Sequence, residues 1–184
     1  MSTLEVKELS HPAGEVLKIA AGKTLDLNSQ GTLVLPTIPY AKMPTGSVLQ
    51  VVSSRSTADF SSTSGSFQDV GISVDITPKS ATSTLYLEWA GNVNSSTLNG
   101  VGFAIREGSV SIGGGSAGDT LIFYYNNGNT ASTHDNQSGM TTTSSTGVTL
   151  RTFKISGKVT HGSGTYTVSN SWGPSTLRVM EIAQ

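Results

Sequence analysis

Alternation of apolar and polar residues predicts β-strands along most of the chain after residue 45. Leu85, Leu87 and Trp89 lie two residues apart within residues 84–90, which places them on one face of a strand. Trp89 is therefore expected in the core. Further candidate strands are residues 47–53, 72–76, 101–107, 120–125, 148–159, 164–170 and 177–182. About eight short strands joined by Gly, Ser and Asn turns predict an all-β fold for residues 45–184, an antiparallel jelly-roll-like sandwich.

Two segments of low complexity interrupt this pattern. Residues 108–118 contain three consecutive glycines, and residues 126–146 contain no aliphatic side chain larger than Ala except Met140. Neither segment offers apolar side chains to a core, so both are predicted to be loops. A loop as long as the second is unusual in a compact domain and is expected to be either mobile or an exposed functional surface.

Residues 1–44 carry a different pattern, three apolar pairs that recur every eight residues. Strands this short do not bury an apolar side within one chain. We therefore expect three chains to wind about a common axis as a parallel homotrimer, in a short β-rich stalk. The alternative is that these residues pack as extra strands on the following domain. The predicted trimer-core residues are Leu17, Ile19, Leu25, Leu27, Leu33 and Leu35.

Residues 36–44 contain three prolines and are predicted to form a semi-extended linker, because proline lacks the N–H donor that a helix or a central strand requires. The sequence thus divides into an N-terminal segment, residues 1–44, and a β domain, residues 45–184.

Composition narrows the class of partner. Charged residues make up only 12% of the chain, with 11 basic and 12 acidic residues and a net charge of −1. Phosphate recognition requires clustered Lys and Arg, so nucleic acid is not an expected partner. There is no Cys, and neither a secretory leader nor an apolar run long enough to span a membrane is present. We expect a chain that is made in a cytoplasm and does not insert into a membrane.

Six segments along the chain form a recognisable set. They are residues 14–27 (GEVLKIAAGKTLDL), 31–33 (GTL) and 44–52 (PTGSVLQVV), followed by 71–80 (GISVDITPKS), 102–108 (GFAIREG) and 177–184 (LRVMEIAQ). Together they resemble the tail-fibre-like or spike structural proteins of tailed bacteriophages, of the type found in phages of marine bacteria and cyanobacteria. The resemblance implies a homotrimeric fibre or spike on the tail or capsid surface of a virion. Its N-terminal segment would attach to other virion proteins, and its β domain would face outward.

Candidate chemistry is sparse. His134, Asp135 and Asn136 form the one compact cluster of metal-binding or acid–base groups, and the sequence has no GxSxG, HExxH or paired-carboxylate motif. We therefore predict no enzyme activity, no catalytic residue, no cofactor and no metal site within one chain. An ion shared by three copies of His134 or Asp135 on a trimer axis remains an open alternative.

Aromatic rings next to side-chain amides are typical of polar surface recognition, and they occur at the start of the long predicted loop and at Trp172. The alternatives are a strand end for the first group and a cap over the sandwich edge for Trp172. Host attachment through a surface glycan or an outer-membrane protein is the favoured function. The second hypothesis is a capsid fibre, decoration protein or tail-hub adaptor without a receptor. The receptor-binding candidates are Tyr124, Tyr125, Asn126, Asn127, His134, Asp135, Asn136 and Trp172.

Overall fold

The computed structural model describes residues 39–95, 99–114, 119–126, 133–168 and 173–184. In these ranges the chain forms eleven β-strands and one short 3₁₀ turn at Tyr40–Lys42. The strands are Val48–Ser56 (β1), Phe60–Ser62 (β2), Gln68–Ile76 (β3), Thr84–Ser95 (β4), Asn99–Glu107 (β5), Val110–Ile112 (β6), Ile122–Asn126 (β7), Thr133–Ser144 (β8), Arg151–His161 (β9), Tyr166–Val168 (β10) and Ser175–Ile182 (β11). The six predicted trimer-core residues of the stalk, which lie between residues 17 and 35, are outside the described residues.

Two antiparallel sheets pack face to face, which confirms the predicted all-β sandwich. The first sheet has the order β1-β11-β4-β8, with β10 joining the last residues of β4 and β2 joining β10. The second has the order β3-β9-β5, and both β6 and β7 pair with β5. Among the eight principal strands the first pairs with the last (β1·β11), the second with the seventh (β3·β9), the third with the sixth (β4·β8) and the fourth with the fifth (β5·β7). This wrapped pairing is the jelly-roll arrangement.

The core lies between the sheets and is built from the inward positions of each strand. Leu85, Leu87 and Trp89 of β4 are fully buried, as their spacing predicts. The Trp89 ring packs on Phe103 with ring centroids 5.1 Å apart, and Phe103 meets Tyr166 edge-on at 5.7 Å. Aromatic pairs in these tilted geometries contribute beyond the area that they bury.

The two ends of the sandwich differ in what they carry. We call the end that contains the start of β1 and the close of β11 the entry end, because residues 39–47 join the sandwich there. At that end the backbone N–H groups of Gly46 and Ala183 donate to the carbonyls of Ala183 and Ser47, respectively. The far end contains the close of β4 and the start of β8, where Ser95 pairs with Thr133.

The structure corrects both predicted loops. Residues 133–144 of the long segment form β8, which pairs with β4 over twelve residue pairs. Thr side chains favour strands through their β-branch, and backbone hydrogen bonding to β4 needs no apolar side chain. The glycine-rich segment contains β6, which pairs with β5 at Ile105–Glu107. The predicted linker is also not wholly extended, because Met43 N–H donates to Tyr40 O and closes the 3₁₀ turn.

Candidate functional site

A shallow depression of about 170 Å³ opens on the outer face of the first sheet at the far end. Strand β4 forms its floor, β8 forms one wall, and the residues that precede β11 form the other. We call it the amide groove. It is lined by Ala90, Gly91, Asn92, Asn136, Gln137, Ser138, Gly173 and Pro174.

Strand register explains why the amides meet. Asn92 of β4 lies directly opposite Asn136 of β8, and two residues earlier Ala90 lies opposite Ser138. Because side chains alternate between the faces of a strand, all four point outward from the sandwich. The Asn92 Nδ2 donates to Asn136 Oδ1 at 3.2 Å. Ala90 is exposed and small, so the floor between these walls stays low.

The groove also has a firm base. Gly91 faces the core, where an added Cβ would lie 2.6 Å from Ser175 Oγ and 2.8 Å from Trp89 Cζ2. The backbone of β4 therefore rests directly on the buried Trp89 ring. Within the described residues, the side chain of Asn136 bonds only to Asn92, and the side chain of Ser138, which faces the same way, makes no hydrogen bond. Amide and hydroxyl groups that lack a protein partner are available to a ligand's hydroxyls.

A second depression, of about 210 Å³, continues from the first along the outer face of β4. We call it the ion-pair groove. It is lined by Glu88, Ala90, Thr176 and Arg178, so Ala90 belongs to both grooves. Arg178 Nη1 lies 3.3 Å from Glu88 Oε2 in a pair of neighbouring strands, and both side chains are partly exposed. An exposed pair of this kind adds little stability but sets the local charge.

The second sheet has a depression of its own whose polar groups bond to one another. Asp69 accepts hydrogen bonds from Lys154 Nζ at 2.6 Å and Ser156 Oγ at 2.8 Å. Burial raises the pKa of Asp69, but the bonds from Lys154 and Ser156 outweigh it and hold the pKa below its usual value. Nearby, Phe67 lies between the cationic groups of Arg106 and Lys158, at 4.7 and 4.5 Å from its ring centroid. Since the polar and cationic side chains of this face already contact one another, it has fewer groups available to bind a ligand than the amide groove has.

The structure brings one of the eight predicted receptor-binding residues to the groove. Asn136 lines it, whereas Asp135 is exposed but lies opposite Val93, on the alternate side of β8. His134 is opposite Asn94 in the ladder, and its side chain lies outside the described residues. Trp172 also lies outside them, although Gly173 and Pro174, which follow it in sequence, line the groove.

Tyr124 was wrongly predicted to be on the surface. It lies opposite Val101 in the ladder of β5 and β7 and is only 6% exposed within the core. Its neighbour Phe123 takes the outward position and is 50% exposed. Tyr125 and Asn126 belong to β7, but their side chains lie outside the described residues, as does the whole of Asn127.

Sequence reasoning missed the residues that give the grooves their shape, Ala90, Asn92, Gln137, Ser138, Pro174, Glu88 and Arg178. A signal was present, since the alternation of residues 84–90 continues through Gly91, Val93 and Ser95. That continuation marks Asn92 and Asn94 as outward positions of the same strand. The described ranges contain no group of three or more His, Asp or Glu side chains placed to hold a metal ion. In the same ranges no helix is long and apolar enough to cross a membrane.

No protein-family model matches the chain, and no curated protein matches it. Among solved structures, it is similar to a chain of the T=1 particles derived from infectious bursal virus, with 14% identity and a TM-score of 0.35 over 88% of this chain. It is also similar to a chain of infectious bursal disease virus, Gx strain, with 16% identity and a TM-score of 0.33 over 82% of this chain. The protein covers 41% of each of those two chains.

Proposed function

We propose that the protein is a virion structural protein, a tail fibre or spike of a tailed bacteriophage, whose β domain attaches to a glycan on the host surface. It acts by binding rather than by catalysis. The observation that carries this proposal is the position of the amide groove at the far end of the jelly roll, away from the entry end. An appendage fixed to a particle through residues 1–44 would present that far end to the host.

The chemistry of the groove suits a carbohydrate. Side-chain amides and a serine hydroxyl provide both donors and acceptors for sugar hydroxyls. A single shallow site of this kind binds weakly, with a dissociation constant of about 1 mM, equivalent to about 4 kcal/mol. A homotrimer carries three such sites, and several trimers on one particle would raise the avidity by orders of magnitude without further contacts.

The test measures binding of fluorescently labelled full-length protein to permissive host cells. We expect binding that Asn136→Ala weakens and that Thr142→Ala does not change. Thr142 is the matched control because it faces outward from the same strand, six residues away from Asn136 and outside the groove. Periodate oxidation of the cells should remove binding, and protease treatment should leave it. Binding lost with protease instead would assign the receptor to an outer-membrane protein, and absence of binding to every permissive host would refute the attachment function.

A capsid fibre, decoration protein or tail-hub adaptor is the second candidate, and one observation favours it. Val148 and Leu150, in the connection between β8 and β9 at the entry end, are 56% and 64% exposed. Exposed apolar side chains close together in a chain are suited to protein contacts. Labelled protein that decorates particles lacking it, and that shows no affinity for cells, would support this candidate over host attachment.

A further inference from the structure

We propose that the amide groove and the ion-pair groove are adjoining subsites for one neutral oligosaccharide of at least two sugar residues, which lies along the outer face of β4. This inference rests on the proposed attachment function and specifies the ligand class of that site. It adds the length of the ligand, its direction on the sheet and its charge.

Continuity of the two grooves sets the length. Glu88, Ala90 and Asn92 are successive outward positions of β4, and Ala90 lies in the lining of both depressions. At about 3.3 Å per residue, Glu88 and Asn92 are about 13 Å apart along the strand. One sugar ring does not fill that span, whereas a ligand with two or more linked rings reaches both polar ends across the small Ala90 side chain.

The walls give the ligand its contacts. In the amide groove, the outward-facing side chains of Asn136 and Ser138 provide hydrogen-bonding groups, and Pro174 provides an apolar surface on the other side. In the ion-pair groove, Thr176 adds a hydroxyl opposite Ala90 in the strand ladder. A sugar ring likewise has hydroxyls at its rim and C–H groups on its faces. The polar walls on either side of Ala90 are therefore better suited to bind a chain of sugars than to bind an apolar ligand.

Charge sets the ligand class. Among the described residues that line the two grooves, the charged ones are Glu88 and Arg178 of the ion-pair groove, which pair with each other at 3.3 Å. An acidic sugar would be attracted to Arg178 but repelled by Glu88, and it would have to break the pair to gain a full contact. A basic group meets the reverse problem. A neutral oligosaccharide accepts hydrogen bonds from Arg178 and donates to Glu88 while the pair stays intact.

The experiment uses oligosaccharides released from the surface polysaccharide of the host and separated by anion exchange into neutral and acidic pools. Binding to the full-length protein is measured by saturation-transfer NMR and calorimetry. We expect the neutral pool to bind, with disaccharides and longer chains bound more tightly than monosaccharides. Tighter binding of the acidic pool, or equal affinity for monosaccharides and longer chains, would overturn the inference.

Two variants test the geometry. Ala90→Ile places a larger, strand-compatible side chain on the floor shared by both subsites and should weaken binding of neutral oligosaccharides about tenfold. Thr142→Ile puts the same side chain on the same face of the sheet, opposite Tyr86 and outside both grooves, and should bind like the unmodified protein. Equal binding by the two variants would refute the placement of the ligand.

A third variant tests the role of charge. Glu88→Gln leaves Arg178 without its carboxylate and makes the ion-pair groove net positive. We expect the variant to gain measurable affinity for the acidic pool, so that the ratio of its affinity for the acidic pool to its affinity for the neutral pool rises. If the variant gains no affinity for the acidic pool, the ion pair does not set the preference for a neutral ligand, and that part of the inference is wrong.

If cells bind the unmodified protein and Ala90→Ile equally well, the groove inference fails while host attachment stands. If cells bind neither protein, the attachment function itself fails.

Discussion

Substitution of Glu181 tests how the jelly roll is held together at its entry end. The carboxylate of Glu181 is fully buried in β11, has no basic partner among the described residues, and accepts hydrogen bonds from two other segments. Gln50 Nε2 of β1 donates to Oε2 at 2.6 Å. In the connection between β3 and β4, Lys79 N–H, Ser80 N–H and Ser83 Oγ donate to Oε1 at 2.8, 2.9 and 2.7 Å. One side chain thus ties β1, β11 and the turn before β4.

The size of the effect follows from these bonds. Glu181→Gln keeps the shape of the side chain and one carbonyl oxygen, but its NH₂ group would face the donor of Gln50. A buried donor left without an acceptor costs about 1–3 kcal/mol, so this variant should lose that much unfolding free energy. Glu181→Ala leaves the N–H groups of Lys79 and Ser80 without an acceptor, while Gln50 and Ser83 each keep a second one, in Thr77 O and Ser80 O. At about 1–3 kcal/mol for each unpaired buried donor, this variant should lose about 2–6 kcal/mol of unfolding free energy. The matched control is Glu88→Gln, whose partly exposed pair with Arg178 accounts for about 0–1 kcal/mol.

The pH dependence gives an independent readout. Burial raises the pKa of Glu181, but the bonds from Ser83, Lys79, Gln50 and Ser80 together outweigh it, so the pKa lies below its usual 4.5. A carboxylate with a lowered pKa contributes stability above its unfolded pKa and loses it as pH falls through the folded pKa. The stability gap between the unmodified protein and Glu181→Gln should therefore be full at neutral pH and shrink in acid, below about 4.5.

The assay is chemical denaturation followed by Trp fluorescence at one fixed protein concentration, since association shifts apparent stability. The buried Trp89 ring reports on the sandwich directly. Equal costs for Glu181→Gln and Glu88→Gln, or a gap that stays constant from neutral pH into acid, would show that the reasoning about this carboxylate is wrong.

Three further predictions concern the core and the assembly. Trp89→Ala should cost about 3–5 kcal/mol in the same denaturation assay, as large-to-small changes in a packed core do. Gly157→Ala should cost about 1–3 kcal/mol because the added Cβ would lie 2.9 Å from Phe103 Cε1, whereas Gly65→Ala, whose Cβ would meet only Val159 O at 3.9 Å, should cost much less. Light scattering should give about three times 19.0 kDa for the unmodified protein, and Leu25→Asp should reduce this to one chain by placing charges near the predicted axis.

Alternation of apolar residues predicted the central strands, but β8 lacks this alternation and was not predicted. Leu85, Leu87 and Trp89 alternate with polar residues because one face of β4 packs on the second sheet. Strand β8 lies at the edge of the first sheet, and its inward-facing Thr141 and Thr143 are only half-buried. Strand β8 is held by backbone pairing with β4 rather than by apolar burial. The composition of residues 126–146 therefore does not indicate a strand.

The candidate site was less predictable because its parts are distant in sequence. Asn92 and Asn136 are 44 residues apart, and only the pairing of β4 with β8 brings them together. Tyr124 shows a different difficulty. Residues 122–125 are four consecutive large apolar or aromatic residues, so the sequence does not indicate which of them face the core. Tyr124 faces the core because it pairs with the buried Val101 of β5.

The jelly-roll fold places the buried stabilising groups and the proposed recognition groups in different parts of the molecule. At the entry end, Glu181 is buried in its hydrogen-bond network, and Arg151 Nη2 pairs with Glu107 Oε2 at 2.7 Å. In the grooves, Ala90, Asn136 and Ser138 are exposed. Exposed positions away from such networks usually tolerate substitution within about 0.5 kcal/mol. Groove side chains can therefore change, and with them the ligand preference of the proposed site, while the buried contacts that close the sandwich stay the same.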